Sequence, residues 1–107
     1  MPPSRRVMAR VHLRVPPWIA SMLDKQGSEW LVFDKDINEG ATIGDLLTEF
    51  ASNHADFRQV VFDPDIGRVS DQVLVFINDS LLQFPDMTEA KLSDGDRIIL
   101  LPVYAGG

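Results

Sequence analysis

The sequence predicts an α+β domain in which a mixed sheet of four to five strands is crossed by one main helix. Three observations carry that prediction. Residues 7–15 alternate strictly, with Val7, Ala9, Val11, Leu13 and Val15 on one side and Met8, Arg10, His12 and Arg14 on the other, as a half-buried strand requires. Ile43, Leu46, Leu47, Phe50 and Ala51 recur at helical spacing and form one apolar stripe that must pack on something flat. Two short apolar runs, 73–77 and 98–101, supply further strands, and too few helices accompany them for a doubly wound sheet.

The elements follow in order. Pro16-Pro17 stops the first strand, and residues 16–29 read as a long connection with room for a helical turn. Residues 30–37 resume as a second strand, closed by the turn Asn38-Glu39-Gly40. Thr42 stands where an N-cap belongs, and Asp45, three residues on, suits both a capping box and the helix dipole. Residues 55–62 read as a further short helical piece before the turn cluster Asp63-Pro64-Asp65-Ile66-Gly67. The strand at 73–77 turns at Asn78-Asp79 into a short strand at 81–84, and Asp94-Gly95-Asp96 turns the chain into the last strand, 97–103.

Composition bounds the function. A chain of 107 residues with 45% hydrophobic and 24% charged side chains is one packed domain, spanning 1–107. It has no cysteine, which removes disulfides, thiolate metal sites and thiol nucleophiles and is compatible with the cytoplasm. No apolar run approaches the roughly 20 residues of a membrane helix, and the basic start is not followed by a signal core. The net charge of −6 argues against nucleic acid or an anionic membrane as partner. Charge is nonetheless uneven, because Arg5, Arg6, Arg10 and Arg14 occupy the first 15 residues with no acid among them. That stretch is either a solvated basic strand or part of a docking face.

Catalytic patterns are missing. His12 and His54 are far apart and read as surface or cap residues; Asp63, Asp65 and Asp71 lack the spacing and closing Glu of a calcium loop and read as a solvated turn. No phosphate cradle, nucleophile elbow or zincin motif occurs. What stands out is the end, Tyr104-Ala105-Gly106-Gly107. At the usual glycine frequency of about 7%, a closing Gly-Gly arises by chance in roughly 0.5% of chains. Two residues without Cβ make a tail thin enough to thread a narrow channel, and the carboxylate at its tip is ionised at neutral pH and able to attack the α-phosphate of ATP. With no nucleotide site in the chain, a partner must supply that chemistry.

Val73-Leu74-Val75-Phe76-Ile77-Asn78-Asp79, the stretch Leu92-Ser93-Asp94-Gly95-Asp96-Arg97-Ile98-Ile99-Leu100-Leu101-Pro102 and the closing Ala105-Gly106-Gly107 together resemble the MoaD/ThiS family of ubiquitin-like sulfur carriers. Thr42-Ile43-Gly44-Asp45-Leu46-Leu47 resembles the family's helix start. Two features depart from the pattern: the connection 16–29 is long, and Tyr104 is bulky where small apolar residues are usual. The resemblance implies a β-grasp fold and a protein that is not itself a catalyst. An E1-like adenylating enzyme, using ATP, would activate Gly107 behind Gly106; a sulfur donor would convert the adenylate to a thiocarboxylate; and an acceptor enzyme would receive the sulfur. No cofactor is expected to bind tightly, and no metal. The favoured acceptor is the large subunit of molybdopterin synthase, with cysteine, thiamine or a specialised metabolite as other destinations. Conjugation of Gly107 to a lysine, as in a protein modifier, and a plain interaction module are the competing readings.

By likeness to ubiquitin, Val75, Leu82, Ile98 and Leu100 should face the helix. Leu74, Phe76, Ile99 and Leu101 should then form an open patch for partners, flanked by Arg10, His12 and Arg14 as a basic edge, with Tyr104 and Ala105 entering the same contact. In the connection 16–29, Trp18, Ile19, Met22 and Leu23 have helical spacing and either tuck against the end of the sheet or meet a partner.

Overall fold

A computed structural model describes residues 8–23, 29–82 and 86–103. Its elements are β1 (Met8–Val15), α1 (Pro17–Leu23), β2 (Leu31–Asn38), α2 (Ile43–Asn53), α3 (Ala55–Val60), β3 (Phe62–Asp63), β4 (Arg68–Val69), β5 (Val73–Ile77), β6 (Ser80–Leu81), a 3-10 turn at Asp86–Glu89, and β7 (Arg97–Pro102). The main sheet is mixed and five-stranded, in the order β2-β1-β7-β5-β6. β1 and β7 run parallel while every other neighbour is antiparallel. This is the α+β, β-grasp arrangement expected.

The alternation holds through the described part of β1, where Ala9, Val11, Leu13 and Val15 are buried, and Val7 lies outside the described residues. α2 answers from the other side with Ile43, Leu46, Leu47, Phe50 and Ala51, all buried in the same core as Val75, Ile98 and Leu100. Each fully buried leucine or isoleucine here contributes about 1.5 to 3 kcal/mol relative to an exposed one. The start of α2 is a capping box: the Asp45 amide donates to Thr42 Oγ1 at 3.1 Å and the Thr42 amide donates to Asp45 Oδ2 at 3.0 Å. The Ile43 amide donates to the Ala90 carbonyl, and the Leu92 amide to that of Ala41, so the helix start is laced to the segment leading into β7.

Four elements differ from the sequence expectation. The connection 16–29 holds a seven-residue helix. Proline stops β1, but a proline at the first helical position also starts a helix, and the Pro16 carbonyl accepts from both Ile19 and Ala20. Ile19 and Ala20 are buried while Trp18, Met22 and Leu23 pack on the core, so α1 tucks against the domain in the first of the two ways anticipated. The turn cluster 63–67 is the tip of a two-residue hairpin, β3–β4, whose strands are too short to show a period. β6 is confined to Ser80–Leu81, and residues 83–85 lie outside the described ones. β2 is shifted one residue later than expected. On its inner face Lys35 sits between Phe33 and Ile37, its ammonium 2.6 Å from Glu49 and 5.6 Å from the Phe50 ring. A charge pointing inward on an edge strand opposes pairing with another sheet.

One glycine is fixed by close approach. A Cβ on Gly44 would lie 2.9 Å from the Thr88 carbonyl oxygen, a backbone atom that cannot swing away. Gly44→Ala should destabilise the fold by about 1 to 3 kcal/mol, despite alanine's better helix propensity; a lower urea midpoint with an unchanged far-ultraviolet spectrum is the expected result.

Candidate functional site

The site is organised by β7. Its inner residues Ile98 and Leu100 are fully buried, so pleating turns Ile99 and Leu101 to the opposite face. There β5 meets them in register, Phe76 opposite Ile99 and Leu74 opposite Leu101. The strip is half-buried because its four members cover one another. The hairpin turn at Asn78-Asp79, with φ of 49° and 73°, places Leu81 opposite Phe76, and Leu81 is 42% exposed. Leu81 therefore extends the strip. Sequence reasoning did not include it, although a two-residue turn dictates the pairing. A shallow depression of about 230 Å³ lies among Phe76, Asp79, Ile99 and Leu101.

The motif residues around β7 are structural. Asn78 Oδ1 accepts from the Arg97 amide at 2.9 Å, and its Nδ2 donates to Asp96 Oδ1 at 2.8 Å. Asp96 Oδ2 accepts from the Ser93 amide, and Asp94 Oδ1 from the Arg10 amide, both at 2.7 Å. Gly95, at φ +87°, donates its amide to the Arg10 carbonyl, and the His12 amide donates to the Asp96 carbonyl. Thus Asn78 and the 94–96 turn tie β5, β7 and β1 together at one end of the sheet, and the opposite end releases the chain at Val103. The tail residues expected to act there, Tyr104, Ala105, Gly106 and Gly107, lie outside the described residues.

The basic edge is altered by pairing within the sheet. β1 and β2 align Arg10 with Asp36 and His12 with Asp34. Arg10 Nε lies 3.0 Å from Asp36 Oδ1, and His12 Nδ1 lies 2.6 Å from Asp34 Oδ1. Arg10 and His12 therefore face carboxylates of their own domain. The hydrogen bond from Arg10, reinforced by its charge, holds the Asp36 carboxyl below the usual carboxylate range, and the same contact raises the Arg10 guanidinium. Arg14 has no carboxylate partner among the described residues; its guanidinium stacks 4.9 Å from the centre of the Trp30 ring. Arg14 is also opposite Ile99 and, with Arg97, Val32 and Asp79, lines a recess of about 300 Å³ beside the apolar strip. Arg97 reaches Asp79 only loosely, at 4.0 Å. The positive flank of the strip is accordingly Arg14 and Arg97, and the partner for Arg10 was concealed in the alternation of β2.

Among the described residues no group of three or more His, Cys, Asp or Glu could hold a metal, and no helix is long and apolar enough to cross a membrane. A mixed five-stranded sheet crossed by a helix, with its middle strand β7 presenting an apolar outer face up to Pro102, is the architecture of a ubiquitin-like β-grasp domain. The ThiS family model matches residues 28–107, well over half of the chain, and the protein belongs to that family. Its members are sulfur carriers, generally non-catalytic themselves. Sulfur carrier protein CysO of Mycobacterium bovis is 28% identical over 69 residues, covering 64% of this chain and 74% of the relative. Among solved structures, the Haloferax volcanii HVO 2177 protein superposes with a TM-score of 0.72 at 20% identity, covering 100% of this chain and 94% of the other. A chain of the Amycolatopsis orientalis BexX/CysO complex gives 0.65 at 24% identity, covering 91% and 99%.

Because Asp36 is depressed in the folded state, the Arg10 pair contributes stability above the carboxyl's unfolded pKa and loses it as pH falls through the folded one. Followed by carboxyl carbon NMR, Asp36 should titrate below the ordinary value of about 3.9 and return toward it in Arg10→Ala. A midpoint unmoved by the substitution would show that the ion pair does not form in solution.

Proposed function

We propose that this chain carries sulfur as a thiocarboxylate on Gly107. The Gly107 carboxylate attacks the α-phosphate of ATP held by an E1-like adenylating partner, and pyrophosphate leaves. A sulfur donor then delivers a sulfide-equivalent nucleophile to the acyl carbon and AMP departs, so one carboxylate oxygen is replaced by sulfur. Gly106 and Gly107 let the terminus enter a narrow active site, and the carrier works in the ATP-rich cytoplasm. The acceptor is a biosynthetic enzyme; the large subunit of molybdopterin synthase is the partner expected from the sequence, and the CysO relatives are described as carriers without naming an acceptor.

The observation that supports this reading best is the position of β7: it is the middle strand of the sheet, it contributes Ile99 and Leu101 to the outer strip, and it ends at Pro102, with three residues between it and Gly106. A partner that grips Leu74, Phe76, Ile99 and Leu101 is thereby placed within reach of Gly107. Arg14 and Arg97 beside the strip suit an acidic rim on that partner.

Intact mass of the protein after incubation with its adenylating enzyme, ATP and sulfur donor should show oxygen exchanged for sulfur at the C-terminus. An isopeptide bond to lysine in place of that exchange would assign the modifier role. Deleting Gly107 should abolish pyrophosphate exchange and leave the thermal midpoint where it was; persisting exchange would refute the proposal.

The outer face is tested separately. Phe76→Ala and Leu101→Ala should each weaken binding to the adenylating enzyme or acceptor by about 1 to 3 kcal/mol with little effect on stability. A folding loss of about 2 to 5 kcal/mol with unchanged binding would mean that this strip is core and the docking surface is elsewhere.

A further inference from the structure

Strand β2 sets a carboxylate opposite each outward cation of β1 except the last. Arg10 faces Asp36 and His12 faces Asp34, but Arg14 faces Val32. Val32 is 58% exposed and offers no counter-charge. The Arg14 guanidinium rests on the half-exposed Trp30 ring, 4.9 Å from its centre. That contact holds the group in place and supplies no oxygen acceptor for its five N–H donors.

The same register continues across the sheet. Arg14 is opposite Ile99, Ile99 opposite Phe76, and Phe76 opposite Leu81, so one row of outward side chains, Val32-Arg14-Ile99-Phe76-Leu81, crosses all five strands. At about 4.8 Å per strand spacing the row is about 19 Å long. The apolar strip therefore does not stop at β7. It runs past a single cation to the edge of the sheet, and both of its ends, Val32 and Leu81, are exposed. Beside that cation lies the recess of about 300 Å³ lined by Arg14 and Arg97, with Val32 and Ile99 as apolar walls. Arg97 is held only loosely, 4.0 Å from Asp79. Apolar walls exclude water, and a charge pair closed between them is stronger than one on an open rim.

We propose that the docking surface runs the full width of the sheet, out to Val32 and Trp30, and that the partner inserts a carboxylate, flanked by apolar side chains, into the recess between Arg14 and Arg97. It rests on the reading of the outer strip as the surface that the adenylating partner grips. Valine at position 32, where the pairing pattern of β2 calls for an acid, keeps Arg14 unspent within the domain. A partner with a neutral or basic side chain at that point would bury an unpaired guanidinium and be rejected.

The test is calorimetric titration of the full-length protein with its adenylating enzyme. Val32→Asp gives Arg14 the internal carboxylate that Arg10 and His12 already have; it should weaken binding at least about tenfold and leave the urea midpoint unchanged or higher. Arg14→Gln should lose a similar factor, and combining the two should add little, because both remove the same interaction. Arg14→Lys should recover only part of the loss, since an ammonium lacks the planar fork that fits a carboxylate. Phe76→Ala reports separately on the strip. If it weakens binding while Val32→Asp and Arg14→Gln do not, the strip remains the docking face and the extension to β2 is overturned. If none of the three alters binding, the reading of the outer strip falls together with the extension. A loss confined to Val32→Asp and matched by a lower urea midpoint, with Arg14→Gln silent, would make Val32 structural and also overturns it. Self-association that vanishes on dilution and in Val32→Asp, with enzyme binding unchanged, would assign the row to a second copy, again against the proposal.

Discussion

The parallel pairing of β1 with β7 is the constraint on which the rest of the structure depends. A parallel neighbour cannot be reached by a tight turn, so the chain must travel from one end of the sheet to the other between them. That requirement accounts for the helices α2 and α3 and the small β3–β4 hairpin lying between the two strands in sequence. It also puts the last strand in the middle of the sheet, with hydrogen-bonded neighbours on both sides. The Asn78, Asp94 and Asp96 side chains hold this register by bonding to backbone amides, which leaves no freedom for β7 to slide. A residue-by-residue slip would exchange its two faces and bury Ile99 in place of Ile98.

Placing β7 centrally has a consequence for its outer face. α2 can cover only one side of the sheet, and the other side is divided. Over β1 and β2 it is mixed, with Arg10 and His12 facing Asp36 and Asp34 beside the exposed Met8 and Val32; over β7, β5 and β6 it is apolar, with Leu74, Phe76, Ile99, Leu101 and Leu81 in a row. The boundary between the halves runs along Arg14 and Arg97. Pairing Arg10 with Asp36 inside the sheet leaves Arg14, with Arg97 only loosely held by Asp79, as the positive charge along that boundary, on a chain whose net charge is −6. Exposed ion pairs of this kind contribute little to stability, because water and salt screen them. Their effect is to decide which charges a partner meets.

Membership in the ThiS family and the central position of β7 agree with the proposed carrier role, in which the domain would serve as a rigid handle recognised through its surface. α1 adds something to that handle. It closes the end of the core with Ile19 and Ala20 and brings Trp18 to the place where the tail departs, so a long connection that does not take part in the sheet shapes the exit of the strand that matters most.

Much of this was legible in the sequence. The stripe from Ile43 to Ala51 and the capping pair Thr42 and Asp45 are local, set by contacts three or four residues apart, and the structure reproduces them. The inward and outward sets of β1, β5 and β7 follow from pleating, which a period of two reports directly, and the ending Gly106-Gly107 with the Asp94-Gly95-Asp96 turn identified the family. Periodicity says which way a side chain faces and is silent on what it faces. The partners of Arg10 and His12 lie on another strand, and their identity rests on the β1–β2 register, a long-range alignment that no local pattern encodes. The β3–β4 hairpin is too short for any period, and α1 begins at a proline that also ends a strand. Only packing against the finished core decided that residues 17–23 would be helical, and only the assembled sheet brought Trp18 to Pro102 and Val103, because their separation in sequence is bridged by tertiary contact alone.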